Sequence, residues 1–534
     1  MDINNRVDQP RALPSACDTE EKRGDEDSPV KERCWSQREA LPGEPRCVVC
    51  GRYGEYICDE TDDDICSIEC KKHLLDKLSR TRKAPVNRIP PEKLPAHDEC
   101  FYIRDDASAQ IESLRKRIDI HVKGESVPAP GFSYSFFNLP QKLLENLESV
   151  GYEIPTPVQM QVIPAALSRR NLLVSAETGS GKTASFLVPV VARCSEVRLR
   201  HPEAKKRPLA LVLAPTRELC VQVEEQAKLL GKGLPFKTAL VIGGDALAGQ
   251  VHRLRQGIEV IIGTPGRIID LLTKHPNFEL DEVCILVLDE VDCMLQKGFR
   301  DQLMQIFQAL SQPQVLMFSA TILPDVEKMA SLMAKDLICI SAGRPSRPND
   351  SVAQVAIWVD SKHKKKKLFD ILRSKQHFMP PAVVFVESRL GADLLSEAIS
   401  VATGIKALSI HGEKDMKERR ETMRLLLAGE VSVLVATGVL GRGVDLWAVR
   451  QVIIFDMPNS IEEYIHQVGR ASRMGEKGSA IIFVNEDDKR LLKELVQVLR
   501  SSGAAVPREL ANSRYSIETR QTNGRQKKRK LGAG

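Results

Sequence analysis

The sequence predicts an α/β protein of two tandem domains with parallel sheets, preceded by a small cysteine-rich finger and flanked by disordered tails. Short β-branched runs alternate with helix-length segments through most of the chain, a polar Pro-bearing break splits them into two series, and five cysteines crowd one stretch near the N-terminus. Such alternation is how a parallel sheet with covering helices reads in sequence, because each crossover needs a helix. At 534 residues the chain is also too long for one core.

Residues 1–46 are polar and charged with no strand or helix period, and are expected to be disordered. The finger is placed at 47–78. A linker is expected over 79–130, in which IESLRKRIDIHV, residues 111–122, can form one amphipathic helix. Over 131–344 the strand-like runs are NLLVSA, ALVLAPT, TALVIGG, VIIGTP, CILVLDE and QVLMFSA. The break SAGRPSRPNDS at 341–351 reads as an interdomain connection. The rhythm resumes over 345–505 with AVVFVES, ALSIHG, VSVLVATG, QVIIFD and SAIIFVN, a second and smaller domain, and 506–534 is a basic tail.

Hydrophobic residues at 42% and charged residues at 28% are ordinary for a soluble globular chain, so patterns must decide the class. A net charge of +6 permits a polyanionic partner without requiring one. The start MDINNRVDQP has no apolar stretch behind a basic one, and no apolar run reaches membrane-spanning length; a soluble intracellular protein without a membrane partner is expected. In a reducing compartment, the clustering of Cys47, Cys50, Cys58, Cys66 and Cys70 favours metal ligation over disulfides. The tail GRQKKRKLGAG reads as a solvated charge run or as a nuclear-import or nucleic-acid-binding element, and residence in nucleus and cytoplasm is expected.

AETGSGKT, residues 176–183, follows a strand-like run and precedes a helical one, the context a phosphate-binding loop requires. Gly179 and Gly181 let backbone N–H groups turn toward phosphate oxygens, Lys182 reaches the β- and γ-phosphates, and Thr183 ligates Mg²⁺. Ala176 holds the place of the usual first glycine, and Glu177, Thr178 and Ser180 complete the loop. A loop of this kind needs a Mg²⁺-holding carboxylate at the end of another strand. Asp289 ends ILVL as required, and Glu290 beside it can orient or deprotonate an attacking water.

With AETGSGKT, LDEVD, FSAT and HQVGRASR together, the chain resembles the DEAD-box RNA helicases over roughly residues 131–505. The resemblance implies two RecA-like domains that bind ATP and RNA. GYEIPTPVQ looks like the adenine-reading motif, implying that Gln159 pairs with the adenine edge and that Tyr152 belongs to the nucleotide site. An upstream aromatic stacks on the base; counting back gives Tyr134, with Phe132 and Phe136 as competitors. APTREL, Gly243-Gly244 and TPGR resemble RNA-contacting motifs, implying backbone contacts from Pro215, Thr216, Arg217, Gly244, Thr264, Gly266 and Arg267, joined by Thr437 from the second domain. Ser319, Ala320 and Thr321, with Asp292 and His466, are implied to couple the nucleotide site to strand separation. Arg470 and Arg473 are implied arginine fingers, and Asp445 touches the ribose. The chain departs from the family at Val291, Gly438, Met416, Gln467 and Ala471-Ser472, none of which is a phosphate, magnesium or γ-phosphate ligand. Val291 adds two methyl groups to the family's alanine, which costs about 1–3 kcal/mol in a full pocket, although a strand end offers more room.

CVVCGRYGEYICDETDDDICSIECKKH resembles the HIT-type zinc finger. The resemblance implies one structural Zn²⁺ on Cys47, Cys50, Cys66 and Cys70. Cys58 and His73 remain for a second zinc, but its other two positions are Thr61 and Lys77, leaving Asp59 or Asp62 as substitutes or that half without metal. A closed four-ligand site serves folding and protein recognition rather than catalysis. The expected function is therefore an ATP-dependent RNA helicase, with a monomeric core, that holds RNA without reading sequence and recruits a protein through its finger. An ATP-controlled RNA clamp with little turnover, and a DNA helicase, are the alternatives.

Overall fold

The computed structural model describes residues 31–80, 108–343, 351–438, 449–471 and 478–515, apart from short breaks at 35–36, 42–43, 59–60, 62, 178, 203–206 and 277. The finger comprises β1 (Tyr56–Ile57) and β2 (Asp64–Ile65), an antiparallel pair, and α1 (Ile68–Arg80). It begins earlier than the cysteines suggest. Lys31 pairs with Glu55 at 2.7 Å, Cys34 N donates to Glu69 Oε2, and Arg46 bridges to Tyr53.

The first large domain opens with α2 (Ser108–Arg117) and β3 (Ile120–Lys123), so part of the expected linker belongs to the sheet. The single helix expected over 111–122 is interrupted by Asp119, whose φ of 54° breaks it before Ile120 turns into the core. Then come α3 (Gln141–Ser149), α4 (Pro157–Leu167), β4 (Leu172–Ala176), α5 (Lys182–Arg200), β5 (Ala210–Leu213) and α6 (Arg217–Gly231). They are followed by β6 (Thr238–Val241), α7 (Leu247–Arg255), β7 (Val260–Gly263), α8 (Pro265–Lys274) and β8 (Ile285–Leu288). The domain ends through α9 (Val291–Gln296), α10 (Arg300–Gln308), β9 (Gln314–Ser319), α11 (Pro324–Met333) and β10 (Ile338–Ala342). Sheet order is β3-β10-β4-β9-β8-β5-β7-β6, parallel except for β3. Strands β4 to β9 are almost wholly buried on both faces, which is why they read as unbroken apolar runs. Leu172 and Val174 pack on one side with α4 and α5, and Leu173 on the other with α11.

The second domain is β11 (Val352–Trp358), α12 (Lys364–Arg373), β12 (Ala382–Phe385), α13 (Arg389–Thr403), β13 (Ala407–Ile410), α14 (Met416–Leu427) and β14 (Val433–Ala436). It continues with β15 (Gln451–Ile454), α15 (Ile461–Val468), β16 (Gly478–Val484), α16 (Leu492–Ser501) and α17 (Arg508–Asn512). Its six strands, in the order β11-β16-β15-β12-β14-β13, are all parallel. Leu510 of α17 is buried in this core, so the start of the expected tail is structural. Both sheets carry their motif-bearing turns at the carboxyl ends of the strands, where open α/β sheets bind ligands. None of the described helices is long and apolar enough to cross a membrane.

Candidate functional site

The phosphate-loop residues leave β4 and enter α5. Gly179 and Gly181 have φ of 79° and 93°, a region open to glycine at no steric cost, and Gly181 precedes the first turn of α5. Lys182 is buried and its Nζ donates to Ala176 O at 2.6 Å and Glu177 O at 2.8 Å. Burial lowers its pKa, and the nearby carboxylates of Asp289, Glu290 and Asp292 oppose that shift. Gln159 is the third residue of α4, in a capping box with Thr156. Its Oε1 accepts from Thr156 N at 2.9 Å and from Tyr134 Oη at 2.7 Å, while Nε2 donates to Gly181 O at 3.1 Å. Tyr134 is therefore packed inside, and of the three candidate stacking aromatics Phe136 is the exposed one. Tyr152 is half-buried against the same core.

Asp289 and Glu290 follow β8, the second neighbour of β4 in the sheet. Burial and the adjacent Glu290 push Asp289 up to about 7. Glu290 sits at φ 52°, ψ 54°, an uncommon conformation for a side-chain-bearing residue, and its buried Oε2 has no hydrogen-bond partner among the described residues. Crowded carboxylates beside a phosphate loop, with a buried oxygen left unpartnered, are the donor set a hard divalent cation fits. Val291 does not end the strand. It opens α9, fully buried against an apolar cluster that includes Leu288 and Met294, so the roomier strand-end position expected for it is not what it occupies.

Asp292 is the hub between the domains. Its Oδ2 accepts from Thr321 Oγ1 at 2.7 Å and Thr321 N at 3.1 Å, and lies 3.3 Å from His466 Nε2 on α15 of the second domain. Burial would raise its pKa, but the bond and charge of His466 and the Thr321 hydroxyl hold it well below the carboxylate range. Ser319 Oγ donates to Thr321 O at 2.6 Å, and Ala320 is buried between them. Two residues beyond the end of α15, buried Arg470 donates its Nε to His466 O. Thr178, Asp445 and Arg473 lie outside the described residues.

The predicted RNA contacts converge on one face. Thr216 caps α6 through Leu219 N, Thr264 and Pro265 open α8, and Gly244, at φ 92°, leaves β6. An ideal Cβ on Gly244 would lie 2.7 Å from an Arg217 guanidinium nitrogen, so a side chain there would displace the arginine. Arg267 donates to Asp245 O at 3.3 Å, and Gly266 follows Pro265 in the first turn of α8. Pro215 is buried beside Thr216, whereas Thr437 is buried beyond β14 in the other domain. Helix N-termini and glycine turns on one surface suit phosphate oxygens.

Sequence reasoning missed the clasp around this face. Buried Arg419 of α14 forms an ion pair with Glu218, and Arg420 with Asp245 at 3.0 Å. Met416, on the same helix, packs into the first domain's core and would lie 3.2 Å from a Cβ on Gly244. The departure at Met416 marked this position, but only the fold shows that it crosses the cleft.

In the finger, the sulfurs of Cys47, Cys50, Cys66 and Cys70 lie within 4.8 Å of one another. A tetrahedral zinc–thiolate site places sulfurs about 3.8 Å apart, and the Cys50–Cys66 and Cys66–Cys70 separations are 3.3 and 3.5 Å. Among the described residues this is the one such group: Cys58 is buried, His73 is exposed on α1, and Thr61 is buried in place of a ligand. The possible second zinc therefore has no assembled donor set among them, because His73 falls on the solvent side of its helix; Asp59 and Asp62 lie outside the described residues.

A DEAD/DEAH box helicase model matches residues 156–329, a helicase conserved C-terminal domain model residues 363–475, and a HIT zinc finger model residues 43–72. The chain is 65% identical over 514 residues to "DEAD-box ATP-dependent RNA helicase 41" of Oryza sativa subsp. japonica, covering 95% of each. It is 46% identical over 501 residues to "Probable ATP-dependent RNA helicase DDX59" of Homo sapiens, covering 92% of this chain and 80% of that one. Among solved structures, S. cerevisiae Dbp5 bound to RNA and ADP BeF3 is 26% identical with a TM-score of 0.60, covering 70% of this chain and 95% of that chain.

Proposed function

Because the chain belongs to the DEAD-box ATP-dependent RNA helicases and carries a HIT zinc finger, we propose that its cleft residues divide the work as follows. The loop from Ala176 to Gly181 cradles phosphates with backbone N–H groups, and Lys182 exchanges its carbonyl partners for the β- and γ-phosphate oxygens. Thr183 and Asp289 would hold a Mg²⁺ ion, which supplies charge neutralisation at the phosphates. Glu290 orients the attacking water and accepts its proton at the now unpartnered Oε2. Arg470 and Arg473 stabilise charge on the γ-phosphate, Asp445 holds the ribose, and Gln159 reads the adenine edge.

The hydrogen bond from His466 to Asp292 carries this reading. It joins the second domain to the acidic motif and, through Thr321, to the strand that borders the phosphate loop. RNA gripped by Arg217, Gly244, Arg267 and Thr437 on both domains, and ATP between them, each favour the closed cleft, so each strengthens binding of the other. A backbone bent to fit that closed surface no longer suits a duplex, and a short helix parts locally. The four finger thiolates would hold one structural Zn²⁺, leaving the finger's outer surface to a protein partner. Nuclear entry is assigned to the basic run 525–530, tested by deleting it and following the tagged chain.

The decisive experiment is steady-state ATP hydrolysis with and without single-stranded RNA, for the native chain and Glu290→Gln. RNA stimulation that the substitution abolishes is expected. A native chain that binds ATP and RNA but does not turn over would replace this reading by the clamp.

A further inference from the structure

The acidic side of the finger faces two cations of the first domain. Asp63 Oδ1 lies 3.4 Å from Lys228 Nζ on α6, Asp64 Oδ1 lies 3.5 Å from Arg253 Nη1 on α7, and Tyr53 meets His252 edge-on with ring centroids 6.1 Å apart. Both cations are held in place by their own domain. Arg253 Nε donates to Thr238 O at 2.9 Å at the start of β6, and Lys228 has Glu224 one turn back at 3.8 Å. The finger side is equally fixed, since Asp64 belongs to β2 and its carbonyl accepts from Val48 N in the zinc knuckle.

This contact lies away from the RNA face. Lys228 is 11 residues beyond Arg217 on α6 (228 − 217), roughly 16 Å along the helix axis. Arg253 and Thr238 likewise stand at the ends of α7 and β6 remote from Gly244. The connection does not force the contact: the 27 residues 81–107 reach up to about 90 Å when extended. It does keep the finger at an effective concentration on the order of millimolar, at which several individually weak surface pairs suffice to populate a docked state.

We propose that the finger is docked in cis on the far end of the first domain through Asp63–Lys228, Asp64–Arg253 and Tyr53–His252, and moves with that domain as the cleft opens and closes. The knuckle residues Val48 and Val49 remain exposed in this arrangement. A protein held there travels with the first domain and obstructs neither RNA nor the second domain.

Carbodiimide coupling of the zinc-loaded full chain tests this. The Asp63 carboxylate and Lys228 amine condense to an amide, the carbodiimide taking up the water as its urea; Asp270 and Lys274, 2.8 Å apart on α8, serve as internal control. In a mixture of isotopically heavy and light chains, Asp63–Lys228 links are expected within heavy and within light chains only. Arg253→Glu is expected to reduce the link several-fold, Asp64→Arg with Arg253→Glu to restore it, and neither to change RNA-stimulated turnover. Hydrogen exchange over α7 is expected to rise in Asp64→Arg, which leaves the Arg253–Thr238 bond in place, giving a readout independent of coupling. Absence of the link while the control forms, heavy–light links in the proportion random pairing gives, or a link indifferent to Arg253→Glu together with α7 exchange indifferent to Asp64→Arg would overturn the proposal.

Discussion

Val291 and Gly438 show how a motif substitution is absorbed by its surroundings. Val291 is fully buried among Leu288, Met294 and other apolar side chains, so reverting it to the family's alanine removes two packed methyl groups. Val291→Ala is expected to lower stability by about 1.5–3 kcal/mol, read as a shifted urea midpoint, while hydrolysis persists because no ligand is touched. At Gly438 the place of the family's aspartate is taken: an ideal Cβ there would collide with Glu463 Oε1, which also accepts from Gln467 Nε2 at 3.4 Å. Gly438→Asp would place two carboxylates together beside Thr437. It is expected to reduce RNA-stimulated turnover, and adding Glu463→Ala to recover it, measured as kcat and the RNA concentration for half-stimulation.

At the scale of elements, α15 and α9 act as one unit through His466 and Asp292. The folded pKa of Asp292 is depressed, so its contribution to stability is complete above the unfolded value near 3.8 and is lost as pH falls through the lower folded value. Asp292→Asn should therefore flatten the acid limb of the unfolding profile below about pH 4, measured by acid titration of the two proteins, and should weaken RNA stimulation at neutral pH. Strands β4 to β9 and β12 to β16 were legible because burial on both faces leaves nearly uninterrupted apolar runs. β3, β10 and β11 were not: β3 is a short edge strand with exposed His121 and Lys123, and β10 and β11, on either side of the break read at 341–351, alternate buried with more exposed positions.

For the whole molecule, closure rests on pairs that no single segment announces. Removing Arg419 leaves Glu218 buried without its charge partner only when the cleft is shut. Arg419→Ala is therefore expected to weaken closure by about tenfold or more, read as interdomain distance with an ATP analogue and RNA. Arg420→Ala, which breaks a half-exposed pair, is expected to change it little.

The sequence by itself determined the chemistry and the scaffold. A phosphate loop, an acidic strand end, paired arginines and clustered thiols are each defined over a few residues, and period and burial write sheet strands directly into the chain. Only the tertiary structure decided which contacts cross between units: Arg419 on Glu218, Met416 beside Gly244, and the finger's Asp63 and Asp64 on Lys228 and Arg253. Such pairs join residues as much as 201 positions apart, as Glu218 and Arg419 are (419 − 218). A charged or sulfur-bearing side chain that meets its partner across that span carries no local period or spacing by which to be read.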